Sequence, residues 1–223
     1  MIVNNSLSHI AFIMDGNNRW SKKRNKTEFE SYKIGAEKLI DLSKYLFDHF
    51  NTKTISAFAL SNNNTKRSKD LINTLKKVLE FFLDSNLEKN HNFSIKFKGD
   101  LDFFSKNILD KIFEIEKKTA KNNQCLLIFL NYSGQLDILR AAQKYNFKSL
   151  NKNKFQKLLT THSFNNPDIL IRTGGYHRLS DFFLYQISFT ELFFLKKLWP
   201  DLNTRDLDKI INKYNSIERK FGY

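Results

Sequence analysis

Five short apolar runs, separated by polar segments of helical length, constrain the fold of this chain more than any other feature. The runs are IAFIM (10–14), ISAFAL (55–60), FSIKF (93–97), LLIFL (126–130) and ILI (169–171). A strand that is apolar along its whole length is buried on both faces, as in a parallel sheet covered by helices. The pattern therefore predicts an α/β fold with a mainly parallel central sheet flanked by helices.

The segments between and after the runs carry helical patterns. One stripe at helical spacing consists of Leu71, Leu75, Val78, Leu79 and Phe82, and a second consists of Leu207, Ile210, Ile211, Tyr214 and Ile217 after Thr204 as a candidate cap. No linker rich in Pro, Gly or Ser divides the 223 residues. We therefore expect a single domain that spans residues 1–223.

Polar and small residues gather where four of the predicted strands end. The clusters are Asp15–Arg19, Ser61–Arg67, Asn131–Gln135 and Arg172–Gly175. Ligands of open α/β sheets bind beyond the carboxyl ends of the strands. The four clusters are therefore expected to form one site at that edge of the sheet.

The segment IRTGGYHRLS (171–180) has the composition of an anion-binding loop. Its adjacent glycines let backbone N–H groups approach a ligand closely, and the guanidinium groups of Arg172 and Arg178 match phosphate oxygens. Asp15, with Glu191, could hold Mg²⁺ beside such a phosphate through hard oxygen ligands. A structural interpretation of Asp15 stays open, because Asp-Gly-Asn is also an ordinary turn sequence.

Composition narrows the possible classes of function. The formal charge of +14 fits a nucleic acid, an anionic membrane surface or a phosphorylated substrate as the partner. The chain contains neither the G-x-x-x-x-G-K-[ST] loop nor the G-x-G-x-x-G fingerprint of common nucleotide-binding folds.

The single cysteine, Cys125, excludes an internal disulfide and favours a cytoplasmic setting. From the opening residues we expect neither a signal peptide nor a membrane anchor.

Four segments, taken together, resemble the motif series of the cis-prenyltransferases. They are HIAFIMDGNNRW (9–20), AFALSNNNTKR (57–67), NYSGQLDIL (131–139) and IRTGGYHRLSDFFLYQISFTELFFLKKLWPDL (171–202), and the closing IERKFGY is similar to the end of that family. The resemblance implies a Mg²⁺-dependent enzyme that adds isopentenyl diphosphate units, with cis double bonds, to an allylic diphosphate such as farnesyl diphosphate. It also implies a homodimer, and a transient contact with a membrane surface when the long-chain lipid product is released.

The same resemblance implies roles for individual residues. Asp15 would be the central acid that holds Mg²⁺ and helps the allylic diphosphate to leave, and Asn64 would accept the proton. Glu191 would complete the Mg²⁺ site by reaching across the homodimer. The allylic diphosphate would be bound by Gly16, Asn17, Asn18 and Arg19, with Arg67 assisting and Trp20 beside them. Isopentenyl diphosphate would be bound by Arg172, Arg178 and Ser180. Further substrate-binding residues would be Ser61, Asn62, Asn63 and Leu179.

Several positions depart from the pattern of the family. They are Glu28, Ser31, Tyr32, Asn63, Thr65, Gln135, Tyr176 and Asp181. The departures are compatible with an active but altered enzyme, and also with a non-catalytic scaffold subunit of a hetero-oligomeric prenyltransferase. The presence of Asp15, Arg19 and Arg172 favours the enzyme. A basic nucleic-acid-binding module is a third interpretation, against which the dispersed lysines and the lack of a known nucleic-acid motif argue.

The chain is also rich in phenylalanine, with 22 residues. A cleft that encloses a long hydrocarbon needs such an apolar surplus, and the predicted helix around Leu71–Leu87 is the candidate lining of a tunnel. Ordinary core packing explains the same residues equally well, so both interpretations stay open.

Overall fold

The computed structural model describes residues 7–63, 68–145 and 151–218. The strands in this part of the chain are β1 (His9–Ile13), β2 (Thr54–Phe58), β3 (Ser94–Gly99), β4 (Cys125–Leu130), β5 (Ile169–Arg172) and β6 (Glu191–Phe194). They form one six-stranded sheet in the order β3-β4-β2-β1-β5-β6, and every pairing is parallel. The predicted parallel α/β architecture is confirmed.

The helices lie between and after these strands. They are α1 (Asn17–Lys23), α2 (Glu28–His49), α3 (Lys69–Leu87), α4 (Lys106–Thr119), α5 (Gly134–Lys144), α6 (Lys152–Gln156) and α7 (Thr204–Asn215), with short 3₁₀ helices at Leu101–Phe103 and Trp199–Asp201. None of the described helices is long and apolar enough to cross a membrane.

Successive strand residues pack into two different layers, which is why the runs are apolar throughout. Ile10 and Phe12 of β1 belong to a large core cluster under α2, α3, α4 and α7. Ala11 and Ile13 belong to a second cluster on the opposite face, with Phe182 among its members. Burial on both faces explains the absence of polar alternation in these strands.

Three details of the sequence interpretation need correction. The N-cap of α7 is Asn203 rather than Thr204, because the Asn203 side chain accepts a hydrogen bond from the backbone N of Asp206 at 3.1 Å while Asp206 returns the contact. Ile217 lies beyond the last residue of that helix, Asn215. The strand β6 was missed, since a run of four residues, three of them half-buried and one exposed, is too short to distinguish a strand by periodicity.

The strand order places the predicted site near the middle of the sheet. From β1 the chain goes to β2 on one side, and it later returns to β5 on the other side. The last residue of β1, Ile13, pairs with Phe58 of β2 and with Arg172 of β5. The segments that follow these three strands therefore meet at one point of the carboxyl edge, where open α/β sheets bind ligands.

Candidate active site

An acid and two arginines form the centre of this edge. Asp15 lies two residues beyond β1, and its Oδ2 accepts a hydrogen bond from Nη2 of Arg172 at 2.9 Å. Its other carboxylate oxygen, Oδ1, accepts from Nη2 of Arg19, one helical turn further along the chain, at 3.2 Å. The arrangement holds a half-buried carboxylate between two fixed cations.

Arg172 organises the loop that follows β5. Its side chain is only 4% exposed, and its Nη1 donates to Oγ of Ser180 at 2.7 Å and to the backbone carbonyl of Arg178. A buried guanidinium is tolerated because it is paired with a carboxylate and hydrogen-bonded. Its Nε is buried and has no hydrogen-bond partner among the described residues. Arg172 therefore links Asp15 to the segment that carries Arg178 and Ser180.

The backbone of Asp15 is fixed by two residues that the sequence did not single out. Its carbonyl oxygen accepts hydrogen bonds from Oγ1 of Thr173 at 2.7 Å and from the backbone N of Trp199 at 3.0 Å. Thr173 directly follows Arg172, so its position in the Arg-Thr-Gly-Gly motif was an available signal. Trp199, 184 positions away from Asp15 in the chain, gave none.

The glycine of the loop nearest to Asp15 is required by close packing. Gly174 has φ +88°, and a Cβ at this position would lie 2.5 Å from Nη2 of Arg19 and 3.0 Å from Cγ of Asp15. A Cβ at the adjacent Gly175, with φ +79°, would meet its nearest neighbour, Cα of Lys196, at 3.8 Å. Only the first of the two glycines is thus in direct packing contact with the acid and its arginine.

Three of the residues expected to surround the allylic diphosphate contact other parts of the protein. Asn17 donates from Nδ2 to the carbonyl of Met14 at 3.2 Å. Asn18 donates to Oε1 of Glu28, one of the positions that depart from the family pattern. Trp20 donates from Nε1 to Oδ1 of Asp201 at 2.8 Å. These side chains position α1, and Asn17 and Asn18 also line the cavity described next.

A cavity of about 540 Å³ connects this charged centre to an apolar interior. Its polar lining includes Asp15, Gly16, Arg19, Ser61, Arg172, Arg178 and Ser180. Its apolar lining includes residues from α2 and α3, namely Ala36, Leu39, Ile72, Leu75, Val78, Leu79 and Phe82, together with residues of the strands and loops such as Ile13, Phe58, Leu60, Phe104, Ile128 and Leu130. A cavity is thus present at the strand edge and α3 lines part of it, while Leu79 and Phe82 of the same helix also belong to the core, so a tunnel for a hydrocarbon stays a prediction. A cavity with one cationic end and one apolar part suits an amphipathic anion.

The second predicted metal ligand does not reach Asp15 within one chain. Glu191 begins β6 and pairs with Ile169, the first residue of β5. Arg172, which contacts Asp15, is the last residue of β5 and lies three residues beyond Ile169. Three residues of strand correspond to roughly 10 Å. In the described part of the chain, no group of three or more His, Cys, Asp and Glu residues could hold a metal ion.

The donor set nevertheless fits Mg²⁺ that arrives with a phosphorylated substrate. Asp15 is the only carboxylate among the described residues that line the cavity. Mg²⁺ commonly binds through one or two carboxylates together with substrate phosphate oxygens and water. Asp15 supplies the carboxylate, and the two arginines beside it suit the phosphate oxygens of a substrate.

The remaining predicted residues are placed as follows. Leu179 packs against the second core cluster rather than lining the cavity. Asn62 donates from Nδ2 to Oδ1 of Asn131 at 2.9 Å, and Asn63 is exposed. Asn64, Thr65 and Arg67 lie outside the described residues.

Two of the departures, Gln135 and Asp181, contact each other. Oδ1 of Asp181 accepts a hydrogen bond from the backbone N of Gln135 at 2.9 Å. The backbone carbonyl oxygen of Asp181 accepts a second one from the backbone N of Gly134 at 2.8 Å. Its Oδ2 accepts from Oγ of Ser133. Asp181 therefore anchors the start of α5, next to Ser180 of the arginine loop.

Comparisons with known proteins show the family of the chain. The prenyltransferase family model described as "Putative undecaprenyl diphosphate synthase" matches residues 13–222. A ditrans,polycis-undecaprenyl-diphosphate synthase of Buchnera aphidicola is 35% identical over 97% of this chain and 92% of that protein. An isoprenyl transferase of Helicobacter pylori is 35% identical over 99% of this chain and 98% of its own length.

Two solved structures extend the comparison to three dimensions. Lavandulyl diphosphate synthase from Lavandula x intermedia, in complex with dimethylallyl diphosphate, superposes with a TM-score of 0.89 at 29% identity, covering 98% of this chain and 99% of that one. A probable undecaprenyl diphosphate synthase from Campylobacter jejuni gives 0.83 at 30% identity, covering 98% of this chain and 100% of its own.

Proposed function

Because the chain belongs to the cis-prenyltransferase family, represented by undecaprenyl diphosphate synthase, we propose that it condenses isopentenyl diphosphate with an allylic diphosphate such as farnesyl diphosphate. Repeated condensation with cis double bonds would give a long-chain polyprenyl diphosphate, the precursor of a lipid carrier. The observation that carries the proposal is the continuous cavity that runs from Asp15 and its arginines to the apolar side chains of α3.

The first step is ionisation of the allylic diphosphate. Negative charge grows on the leaving diphosphate as the carbon–oxygen bond breaks, so fixed cations stabilise the transition state more than the ground state. Arg19 supplies such a cation, held by Oδ1 of Asp15 at 3.2 Å. Mg²⁺, bound by Asp15 together with diphosphate oxygens, would add further stabilisation of that charge.

The second step is attack by the double bond of isopentenyl diphosphate. The two substrates must lie side by side with their reacting carbons in contact, and fixing this orientation contributes much of the rate enhancement. Arg172, Arg178 and Ser180 are the residues proposed to bind isopentenyl diphosphate. The hydrogen bond from Arg172 to Ser180, at 2.7 Å, keeps two of them together beside Asp15. Asn64 stays the predicted proton acceptor.

The growing hydrocarbon is proposed to enter the apolar part of the cavity. Leu75 and Leu79, on successive turns of α3, line it together with Leu39 of α2. The six strands form a single sheet, which supports the assignment of residues 1–223 to one catalytic domain. The product would leave by transient contact with a membrane surface.

A homodimer would bring Glu191 to a partner's site. In the described residues β6 is an edge strand, its residue Leu192 is exposed, and so is Phe189 just before the strand. An uncovered apolar edge is a common site of subunit association. Analytical ultracentrifugation of the wild type and of Phe189→Glu tests this arrangement. A wild type that sediments as a monomer would contradict the proposed homodimer.

Turnover is the direct test of the proposed function. The purified chain is incubated with farnesyl diphosphate, labelled isopentenyl diphosphate and Mg²⁺, with and without a chelator, and the extracted lipid is sized. We expect a long-chain product that requires the metal. Absence of product from folded protein with several allylic primers would contradict the proposal and favour the scaffold subunit.

A further inference from the structure

An exposed tyrosine lies among three arginines at the mouth of the cavity. Tyr176 follows the two glycines of the loop after β5, and the residue is 42% exposed. The guanidinium carbon of Arg178 is 4.1 Å from the centroid of its ring, that of Arg19 is 4.9 Å away and that of Arg172 is 5.7 Å away. All three distances are within the range of cation–π interactions.

The three positive charges of this group are balanced only in part, by a single carboxylate. Arg19 and Arg172 both pair with Asp15. Arg178 is exposed and forms no ion pair with a carboxylate of the described residues. Three guanidinium groups around one carboxylate repel one another, and a long exposed side chain such as Arg178 would otherwise sample many rotamers. The negative face of the Tyr176 ring is the contact that opposes both effects.

We infer that Tyr176 is a positioning residue whose ring holds the three arginines ready for a diphosphate. The identity of that anion rests on the proposed function. A carboxylate at this position would also attract the arginines, but it would neutralise one of them and compete with the ligand. A neutral aromatic ring orders the guanidinium groups without adding a counterion to Asp15, so the charge of Arg178 stays available for the substrate. Ordering before binding raises affinity because less side-chain entropy is lost when the ligand arrives.

The inference is tested with inorganic pyrophosphate as the probe, by calorimetry on the full chain in the presence of a chelator. Tyr176→Leu removes the ring but keeps apolar bulk, and it is expected to weaken binding roughly 3- to 10-fold, as two close exposed cation–π contacts would suggest. Tyr176→Phe is expected to restore binding to within about twofold of the wild type, because the π face is retained. Tyr176→Glu should weaken binding further and reduce its salt dependence.

A kinetic measurement separates positioning from general damage to the fold. Tyr176→Leu is expected to raise KM for isopentenyl diphosphate by a factor similar to its loss of pyrophosphate affinity, with little change in kcat. Phe113→Leu is the matched control, because Phe113 is 67% exposed on α4 and does not line the cavity. It should change neither quantity.

Each alternative outcome overturns the inference in a recognisable way. Wild-type pyrophosphate affinity in Tyr176→Leu would show that the ring orders nothing. Equal weakening in Tyr176→Phe and Tyr176→Leu would assign the effect to the hydroxyl group instead. If the wild type turns over substrate and Tyr176→Leu keeps the wild-type pyrophosphate affinity and KM, only this inference fails. If the wild type neither binds pyrophosphate nor turns over substrate, the proposed function fails with it.

Discussion

Oδ2 of Asp15 and Nη2 of Arg172 are 2.9 Å apart, although the two residues are 157 positions apart in the sequence. The parallel pairing of β1 with β5 brings them together, since Ile13 and Arg172 are partners in the register. Asp15 is therefore the counterion of a buried guanidinium as well as the proposed catalytic acid. A substitution of Asp15 should affect stability and turnover separately.

Replacing Asp15 with Ala is expected to abolish turnover while the chain still folds. The free energy of unfolding should fall by about 1–3 kcal/mol, because Arg172 loses the acceptor that compensates its burial. Asp15→Asn is the control, since it keeps an acceptor for Arg172 but removes the charge, and it should recover much of the stability without the activity. Denaturant unfolding and the prenyl-transfer assay measure the two effects. Retained turnover in Asp15→Ala would contradict the assignment.

The adjacent glycines of the arginine loop offer a matched pair of substitutions. Ala is strained at both, because φ is +88° at Gly174 and +79° at Gly175, and each should lose roughly 1 kcal/mol of stability. A methyl group at Gly174 would also come within 2.5 Å of Arg19 and displace it from Asp15. Gly174→Ala should therefore lose most of the turnover, whereas Gly175→Ala should retain it. Equal turnover in the two variants would show that contact between Gly174 and Arg19 is unimportant.

Five of the six described strands and the centre of the site could be predicted from the sequence for a simple physical reason. Runs such as IAFIM (10–14) are apolar throughout because β1 is buried on both faces of the sheet. Parallel strands end at the same edge, so Asp15 and Arg172 could be expected to meet before any coordinates were known.

The remaining features depend on tertiary contacts that no local pattern encodes. The position of Glu191 away from Asp15 follows from the register of β6 against β5. The hydrogen bond from Trp199 to Asp15 joins segments that are far apart in the chain. Ser180 adopts a positive φ of 52° in the loop that Arg172 holds, and a serine gives no sequence signal for that conformation.

The buried histidine His9 should make stability depend on pH. Its Nδ1 donates to the carbonyl of Asn165 at 2.6 Å and its Nε2 accepts from Oγ of Ser56 at 2.7 Å, so the neutral ring is satisfied. Burial lowers the pKa of His9 to about 4 from the ordinary value of 6.5. Well above pH 6.5 the His9 ring is neutral in both the folded and the unfolded chain, and the stability that depends on this ring is complete. As the pH falls from 6.5 towards 4, the unfolded chain binds a proton that the folded chain does not, and roughly 3 kcal/mol is lost.

The contribution of His9 is measured as a difference. Unfolding free energies of the wild type and of His9→Asn are compared between pH 7.5 and pH 5, and the variant should show the shallower decline. His49→Asn serves as the control, because His49 is exposed at the end of α2 and its removal should leave the slope unchanged. Identical slopes in the wild type and His9→Asn would contradict the prediction.

The length of the product should respond to the size of one side chain on α3. Leu75 is partly buried and lines the cavity, whereas Leu71, one turn earlier on the same helix, is also partly buried but does not line it. Leu75→Trp reduces the volume available to the growing hydrocarbon and should shift the products towards shorter chains, with the first condensation little affected because the diphosphate-binding residues are unchanged. Leu71→Trp adds the same bulk outside the cavity and should leave the product distribution as in the wild type. Chromatographic sizing of the labelled lipids distinguishes the two. Unchanged chain lengths in Leu75→Trp would show that the product does not occupy this part of the cavity.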